Sequence, residues 1–452
     1  PVRDVISWNV LISGYTQQGK VHEGLNCFEC MQIEGLSPDM VTFICISKAC
    51  GITRDIEMGK RIDEIFVNRS LFKKDIGVGN TLIDMYAKCN TLIEAHHVLE
   101  GLHNRNVISW SALIAGYAQH GRDHELVNCF EQMQNEGLFP DIITFLCILK
   151  SCGSIGERDK GKHIHNTIIC SGLLEKNNTL GNTLVDMYGK CGCIIDAELM
   201  FRVMPERNVI SWNTMISAYA RSGKASHASC LFSHMLKESI MPTDVTFLNV
   251  ISAFSSSSQE ESLCRGKQMH ARIVKSLTLN SNISLGNALI GMYRRFGNLT
   301  EAHHVFDTMP MHDLVSWNAM ISSCSYYHKV DDVFQLFSDM QSQGIVVPNK
   351  TTFSSILSTC ASRTALLKGI QMHALIIISG QHTDILVCNA LISMYGKCGE
   401  LVKAQEVFDG MHERNTVSWN AIFDVYALHG EAKNVEELYK RMQSNRALPD
   451  LI

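Results

Sequence analysis

The sequence predicts an all-α solenoid of stacked helix-turn-helix repeats, and three observations predict it. Each of the five tryptophans sits in one short phrase: Ser7-Trp8-Asn9, Ser109-Trp110-Ser111, Ser211-Trp212-Asn213, Ser316-Trp317-Asn318 and Ser418-Trp419-Asn420. Their spacings are 102, 102, 105 and 102 residues, and self-similarity at a fixed period marks a repeat architecture. Around the tryptophan the apolar residues keep a helical period, with Trp8, Leu11, Ile12 and Tyr15 at i, i+3, i+4 and i+7. A composition of 46% hydrophobic and 19% charged residues supplies an ample core. A lone hairpin cannot bury its own apolar face, so neighbours must stack.

Each period divides into three hairpins. In the first, 5–39, Ser7 is read as the N-cap. Gly19 and Lys20 mark the turn, the second helix turns Leu25, Phe28 and Met31 inward, and Gly35 and Pro38 end it. The second hairpin, 40–75, has Thr42 at the cap position and Gly59-Lys60 in its second half. The third, 76–106, is shorter and has Val78 where a cap residue is expected. The trio recurs at 107–141, 142–177 and 178–208, and at 209–243, 244–282 and 283–313, where 255–261 form a polar insertion. It recurs again at 314–349, 350–384 and 385–415, and a final long hairpin covers 416–450. Residues 1–4 read as the end of a preceding repeat and 451–452 as the start of a further one.

Composition narrows the function classes. No stretch approaches the ~18 apolar residues of a membrane span. A net charge of −5 argues against a polyanion binder held by bulk charge. Seventeen scattered cysteines fit reduced thiols better than a disulfide framework.

Two polar columns stand out against the core pattern. The residue after each tryptophan, about 100° around the helix from it, is Asn9, Ser111, Asn213, Asn318 and Asn420. The short hairpins carry Asn80, Asn182, Asn287 and Asn389 at the same place, and the middle ones Ile44, Leu146, Leu248 and Ser354. Asn is a mediocre helix former. Its presence at eight of nine such positions means either hydrogen bonding at the helix start or recognition of a base edge, which an amide can both donate to and accept from. The second column is the last residue of each unit: Asp39, Asn106, Asp141, Asn208, Thr243, Asp313, Asn349, Asn415 and Asp450. By itself this column is compatible with Asx-type turns.

Together these columns resemble the pentatricopeptide repeat family. The alternation of 35-, 36- and 31-residue motifs over the whole chain resembles the PLS-type arrays of land-plant organelle proteins. Quoted phrases carry the likeness: Ser-Trp-Asn-x-Leu-Ile from Ser7 to Ile12, Met187-Tyr188-Gly189-Lys190-Cys191-Gly192, the same phrase from Met394 to Gly399, Gly161-Lys162-His163-Ile164-His165, and Met204-Pro205-Glu206-Arg207-Asn208. Two copies depart from the pattern. Met85 to Asn90 ends in Asn instead of Gly, and the third trio has Arg295-Phe296 in place of Lys-Cys.

The resemblance implies a right-handed superhelical α-solenoid that binds single-stranded RNA. One motif would contact one nucleotide, with the base chosen jointly by the amide and the unit's last residue. A carboxylate there suits the imino N–H of uracil, an amide the bare ring nitrogen of cytosine, and a small hydroxyl such as Ser111 leaves room for a purine. Ile6, Ile108, Ile210, Val315 and Val417 would sandwich the bases, the usual manner of single-strand readers. Motif by motif, Asn9 with Asp39 suggests U, Asn80 with Asn106 C, Ser111 with Asp141 G, and Asn182 with Asn208 C. Asn213 with Thr243 suggests a pyrimidine, Asn287 with Asp313 U, Asn318 with Asn349 C, Asn389 with Asn415 C, and Asn420 with Asp450 U. With the middle motifs left blank, the expected target is U-n-C-G-n-C-Y-n-U-C-n-C-U.

Eight residues after the amide, the short hairpins carry Lys88, Lys190, Arg295 and Lys397. Cations are favoured near a helix C-terminus in any case, while the family reading is contact with RNA phosphates. Other signals are weaker. Cys27-x-x-Cys30 has no second pair at zinc spacing, and His96-His97 and His303-His304 are adjacent pairs whose side chains diverge. His429-Gly430-Glu431 matches half of a zinc-deaminase phrase without its Pro-Cys-x-x-Cys. The expectation is an RNA-binding protein with no cofactor and no catalytic residues, placed in a mitochondrion or chloroplast by the resemblance. It would mark C-to-U editing sites together with a deaminase, or handle RNA in another way. The competing reading is a protein–protein scaffold of tetratricopeptide type.

Overall fold

The computed structural model describes residues 3–68, 76–175, 177–256, 260–275, 282–344, 346–362 and 365–444. Residues 257–259 of the polar insertion and Asp450 lie outside the described residues. Among the described residues there are twenty-six helices and no strand. They form two units, residues 1–222 and 223–452. The fold is an all-α solenoid.

Each unit has two rows of helices. In the first unit, Val5–Gln17, Met40–Thr53, Ile76–Lys88, Val107–Gln119, Ile142–Ile155, Asn178–Lys190 and Val209–Arg221 each lie against the one before. The intervening helices, from Val21–Ile33 to Ile194–Val203, form the second row, each resting on its hairpin partner and on the opening helix of the next hairpin. The second unit repeats the scheme, its first row running from Asp244–Ser255 to Thr416–Leu428.

The tryptophans set this stacking. All five are 2–3% exposed, and two of the indoles find carboxylates in the second helix's last turn or just beyond it. Trp8 Nε1 donates to Glu34 Oε2 at 3.2 Å and Trp110 Nε1 to Glu136 Oε2 at 2.8 Å. Leu11 departs from the expected inward stripe and is 38% exposed, whereas its counterpart Leu113 is fully buried. In later motifs the preceding hairpin covers this face.

The helix starts correct the sequence reading in one respect: Ser7 is not the N-cap. Asp4 holds that place, with extended backbone, and its carboxylate accepts from the Ser7 amide at 2.8 Å. Thr42 likewise follows the true cap, Asp39, which accepts from the Thr42 amide at 2.8 Å. The physical reason is reach. A cap side chain serves the amide two or three residues on, so the capping residue precedes the Ser/Thr by one turn. The short hairpins obey the same rule: Asn177, Asn282 and Asp384 cap their opening helices, ahead of the position that Val78 occupies in the first trio.

The Met-Tyr-Gly-Lys-Cys-Gly phrase has a packing meaning. Its last residue turns the chain with left-handed backbone, at φ 72° for Gly192 and 84° for Gly399, and Asn90 adopts φ 62° in the same role. Asn is one of the few side chains tolerated there. Its first glycine lets two opening helices touch: a Cβ on Gly189 would stand 2.7 Å from the Ala218 Cβ. One trio earlier the residues are exchanged, with Ala87 in the short hairpin facing Gly116 in the next, where an added Cβ would come to 2.5 Å.

The recurring histidines have partners across hairpins. His165, His270 and His373 Nδ1 lie 2.9, 2.9 and 2.8 Å from the hydroxyls of Tyr188, Tyr293 and Tyr395. In the first trio Asp63 takes the histidine's place and accepts from Tyr86 at 2.8 Å. Burial lowers the pKa of all three histidines. His429 is equally structural. Its Nε2 lies 2.7 Å from the Gly396 carbonyl, where His120 meets the Ala87 carbonyl in the first unit.

Candidate nucleic-acid interface

The last residue of a unit is the N-cap of the next, and this brings the two polar columns together. Asp39 caps Met40–Thr53, and on the same oxygen, Oδ1, it accepts from Asn9 Nδ2 at 2.9 Å. The Thr42 hydroxyl donates to Asn9 Oδ1 at 2.6 Å. Both ends of the Asn9 amide are thereby assigned: oxygen towards the threonine, nitrogen towards the carboxylate, with a second N–H still to place. Asn9 is 7% exposed, while Asp39 is exposed. Partial burial works against the Asp39 carboxylate, but hydrogen bonds from the Thr42 amide and the Asn9 side chain outweigh it and hold its pKa below the usual range.

The pattern recurs with variations. Asn318 Nδ2 donates to Asn349 Oδ1 at 3.2 Å, and the Thr352 hydroxyl donates to Asn318 Oδ1 at 2.6 Å. Asn287 Nδ2 reaches Asp313 Oδ1 at 3.4 Å. Asp313 is partly buried, which opposes ionisation, yet the Ser316 and Asn287 hydrogen bonds keep its pKa lowered. In the first short hairpin the Ser109 hydroxyl links the columns, 2.6 Å from Asn80 Oδ1 and 3.0 Å from Asn106 Oδ1. Ser111 contacts the Thr144 hydroxyl at 2.7 Å, which in turn lies 2.8 Å from Asp141 Oδ1.

Three short-hairpin amides are less well satisfied. Oδ1 of Asn182, Asn287 and Asn389 is buried and finds no hydrogen-bond partner, because the hydroxyls of Ser211, Ser316 and Ser418 lie against the caps Asn208, Asp313 and Asn415 instead. Asn213 belongs to the first unit and Thr243 to the second. Thr243 forms a capping box with Thr246 at the start of Asp244–Ser255. Asn420 is half-buried, and its expected mate Asp450 lies outside the described residues.

In each unit aliphatic side chains stand in water beside the post-tryptophan positions. Ile6, Ile108, Ile210, Val315 and Val417 are between 59% and 70% exposed, and each precedes its amide by three residues, on the same helix face. The sequence reading missed Val41 and Ile143 in the first unit and Val245 and Leu386 in the second, all exposed at the second place of their own helices. The signal was available as an aliphatic residue recurring beside a cap. In the second unit an open cleft of about 660 Å³ is lined by Leu386, Asn389, Asn415 and Val417 together with Lys350 and His412. One amide, its cap partner and two aliphatic residues therefore share one recess.

A PPR repeat family model matches residues 3–51, 105–154, 207–256 and 312–362, and a PPR repeat model matches 182–209, 287–314, 386–416 and 417–446. A chloroplastic pentatricopeptide repeat-containing protein of Arabidopsis thaliana is 30% identical over 98% of this chain and 71% of its own length. The chain belongs to the pentatricopeptide repeat family. A second chloroplastic pentatricopeptide protein of that plant is 32% identical over 98% of this chain, and a mitochondrial one is 32% identical over 92%. The chain spans 54% and 40% of those two relatives. Among solved structures, the crystal structure of the maize pentatricopeptide repeat protein PPR10 superposes with a TM-score of 0.67 at 18% identity, covering 99% of this chain and 70% of that one.

The cation column of this pentatricopeptide array is not uniform. Lys88 pairs with Asp84 at 2.6 Å and Lys190 with Asp186 at 2.9 Å, and Asp186 also holds Arg221 at 2.9 Å. Among the described residues Arg295 and Lys397 have no ion pair, and both are exposed. These i, i+4 acids were legible in the sequence. Their presence divides the four cations into two neutralised and two open.

Proposed function

We propose that this chain binds single-stranded RNA in a sequence-dependent way, one nucleotide per base-reading motif, along U-n-C-G-n-C-Y-n-U-C-n-C-U. The observation that carries the reading is the side-chain pairing of Asn9 with Asp39, Asn287 with Asp313 and Asn318 with Asn349. Residues 26 to 31 positions apart present one composite polar edge. The exposed aliphatic side chains lie on the same helix face as the amides, where a base can enter edge-first between apolar neighbours. The related PPR10 protein has been solved in complex with an 18-nt psaJ RNA element, which supports the same ligand class here.

Within that class, the alternating motif lengths support a site-recognition role in C-to-U editing in a chloroplast or mitochondrion. The relatives' names point to the same two compartments. In this role the solenoid is not the enzyme. It positions a cytidine for a deaminase supplied by another domain or partner. Arg295 and Lys397 are the cations best placed to contact phosphate, and Lys88 and Lys190 must first leave their carboxylates.

The test is Ser111→Asn. Paired with Asp141, the new amide should move the preference at one nucleotide from G to U in a panel of otherwise identical oligonucleotides. An unchanged preference there would sink the register, and equal affinity for target and scrambled RNA at all salt concentrations would sink sequence reading altogether.

A further inference from the structure

One hairpin junction breaks the repeat in a way RNA reading does not use. Seven residues after the tryptophan the long hairpins carry Tyr15, Tyr117, Tyr219 and Tyr426, but the fourth copy has Cys324. At the matching junction near the chain's end, the Tyr426 hydroxyl donates to Gln405 Oε1 at 2.9 Å, bridging to the second helix of the preceding short hairpin. Where the third trio meets the fourth, the residue in Gln405's place is His303, and Cys324 Sγ lies 3.6 Å from its Nε2. Asp332, in the first turn of Val330–Gln343, closes the group. Ligand atoms of His303, Cys324 and Asp332 all lie within 4.8 Å of one another.

We propose that His303, Cys324 and Asp332 form a zinc(II) site that staples three successive helices, Leu299–Thr308, Leu314–Tyr326 and Val330–Gln343. Thiolate, imidazole and carboxylate together are a zinc donor set, with a fourth position for water. The separation fits as well. Zinc–sulfur and zinc–nitrogen bonds of ~2.3 and ~2.0 Å at the tetrahedral angle place the two donors about 3.5 Å apart. The cysteine side chain is smaller than the tyrosine that the sister motifs carry at this place. Cys324 is buried and Asp332 exposed, so the metal enters from the carboxylate side. Binding replaces the thiol's S–H bond with a zinc–sulfur bond and releases that proton to solvent. Without metal, burial and the nearby Asp332 carboxylate push the thiol pKa up to about 12, so the apo site holds a neutral thiol.

The experiment uses the full reduced chain, stripped with chelator and titrated with zinc(II), then with cobalt(II) as a spectroscopic probe. The expected result is one equivalent bound tightly, thiolate-to-cobalt charge-transfer absorption, and intense tetrahedral ligand-field bands. Cys324→Tyr restores the residue of the four sister motifs and so keeps the helices packed. It should lose that equivalent, the cobalt bands and the zinc-dependent rise in Tm, while RNA affinity stays as in the wild type. His303→Gln should lose the same bands. A wild-type chain that takes up no zinc, or cobalt spectra that are identical in the wild type and Cys324→Tyr, would overturn the site, because any metal would then sit on other thiols.

Discussion

Asn9 Nδ2 donates to Asp39 Oδ1 across thirty residues of sequence and 2.9 Å of space. Asp39 is also the cap of the following helix, so the same oxygen that starts one hairpin orients the polar edge of the one before. Under the proposed RNA reading stability and recognition share this atom, and substitutions in the column should be read on both scales.

Asp39→Asn keeps a competent cap and changes the edge from carboxylate to amide. The preference at the corresponding nucleotide should move from U towards C by about 1 kcal/mol, the worth of one net hydrogen bond, with a melting temperature close to wild type. Competition binding with the two oligonucleotides measures it. A large loss of stability with no change in preference would assign Asp39 to capping alone.

Thr352→Val removes the hydroxyl that holds Asn318 Oδ1 and keeps the side chain's shape. The Asn318 amide is then free to flip, so discrimination between C and U at that nucleotide should shrink several-fold while overall affinity falls little. The partly buried Asn318 oxygen left without its donor should also cost about 1 kcal/mol of stability. Discrimination that survives intact would show that the threonine does not orient the amide.

Gly116→Ala forces a second methyl against Ala87 and should destabilise the first unit by about 1–3 kcal/mol, the usual range for overpacking. Ala87→Gly introduced alongside it should recover most of that loss, because the Gly189–Ala218 junction already uses the reversed pair. A double-mutant cycle from chemical denaturation reads the coupling. Additive effects would mean that the two residues do not limit helix approach.

His165, His270 and His373 are buried beside tyrosines, and their folded pKa values lie below the ordinary 6.5. The unfolded chain therefore takes up protons first as pH falls. Stability is fully present above about 6.5 and declines through the interval down to the lowered folded values. Melting curves at pH 7.5 and 5.5 should differ, and replacing all three by glutamine should flatten that difference. An identical pH slope in the variant would transfer the effect to other groups.

The legible part of the site was chemical type and spacing. Asn at one place and Asp or Asn at another are visible in a linear chain, as is the aliphatic residue three before each post-tryptophan position. The bonds between the columns were not visible, because they join side chains 26 to 31 residues apart that only stacking brings together. Misplacing the cap at Ser7 has the same origin: the rule that a polar residue precedes the stripe holds for Asp4 as well as Ser7, and backbone geometry decides between them. Cys324 was legible only as a break in the tyrosine column, since its neighbours His303 and Asp332 come from two other helices.

The sequence by itself determined the period, the helical hairpins and the solenoid. Core packing repeats with the chain, so five tryptophans and their apolar neighbours write the fold in one dimension. Tertiary structure decided which polar groups meet. It made the last residue of one unit the cap of the next, set Ala87 against Gly116 and Gly189 against Ala218, and left the aliphatic side chains in water. Each of these depends on how one hairpin seats on its neighbour, and that seating is fixed by packing in three dimensions, where residues remote in the chain come into direct contact.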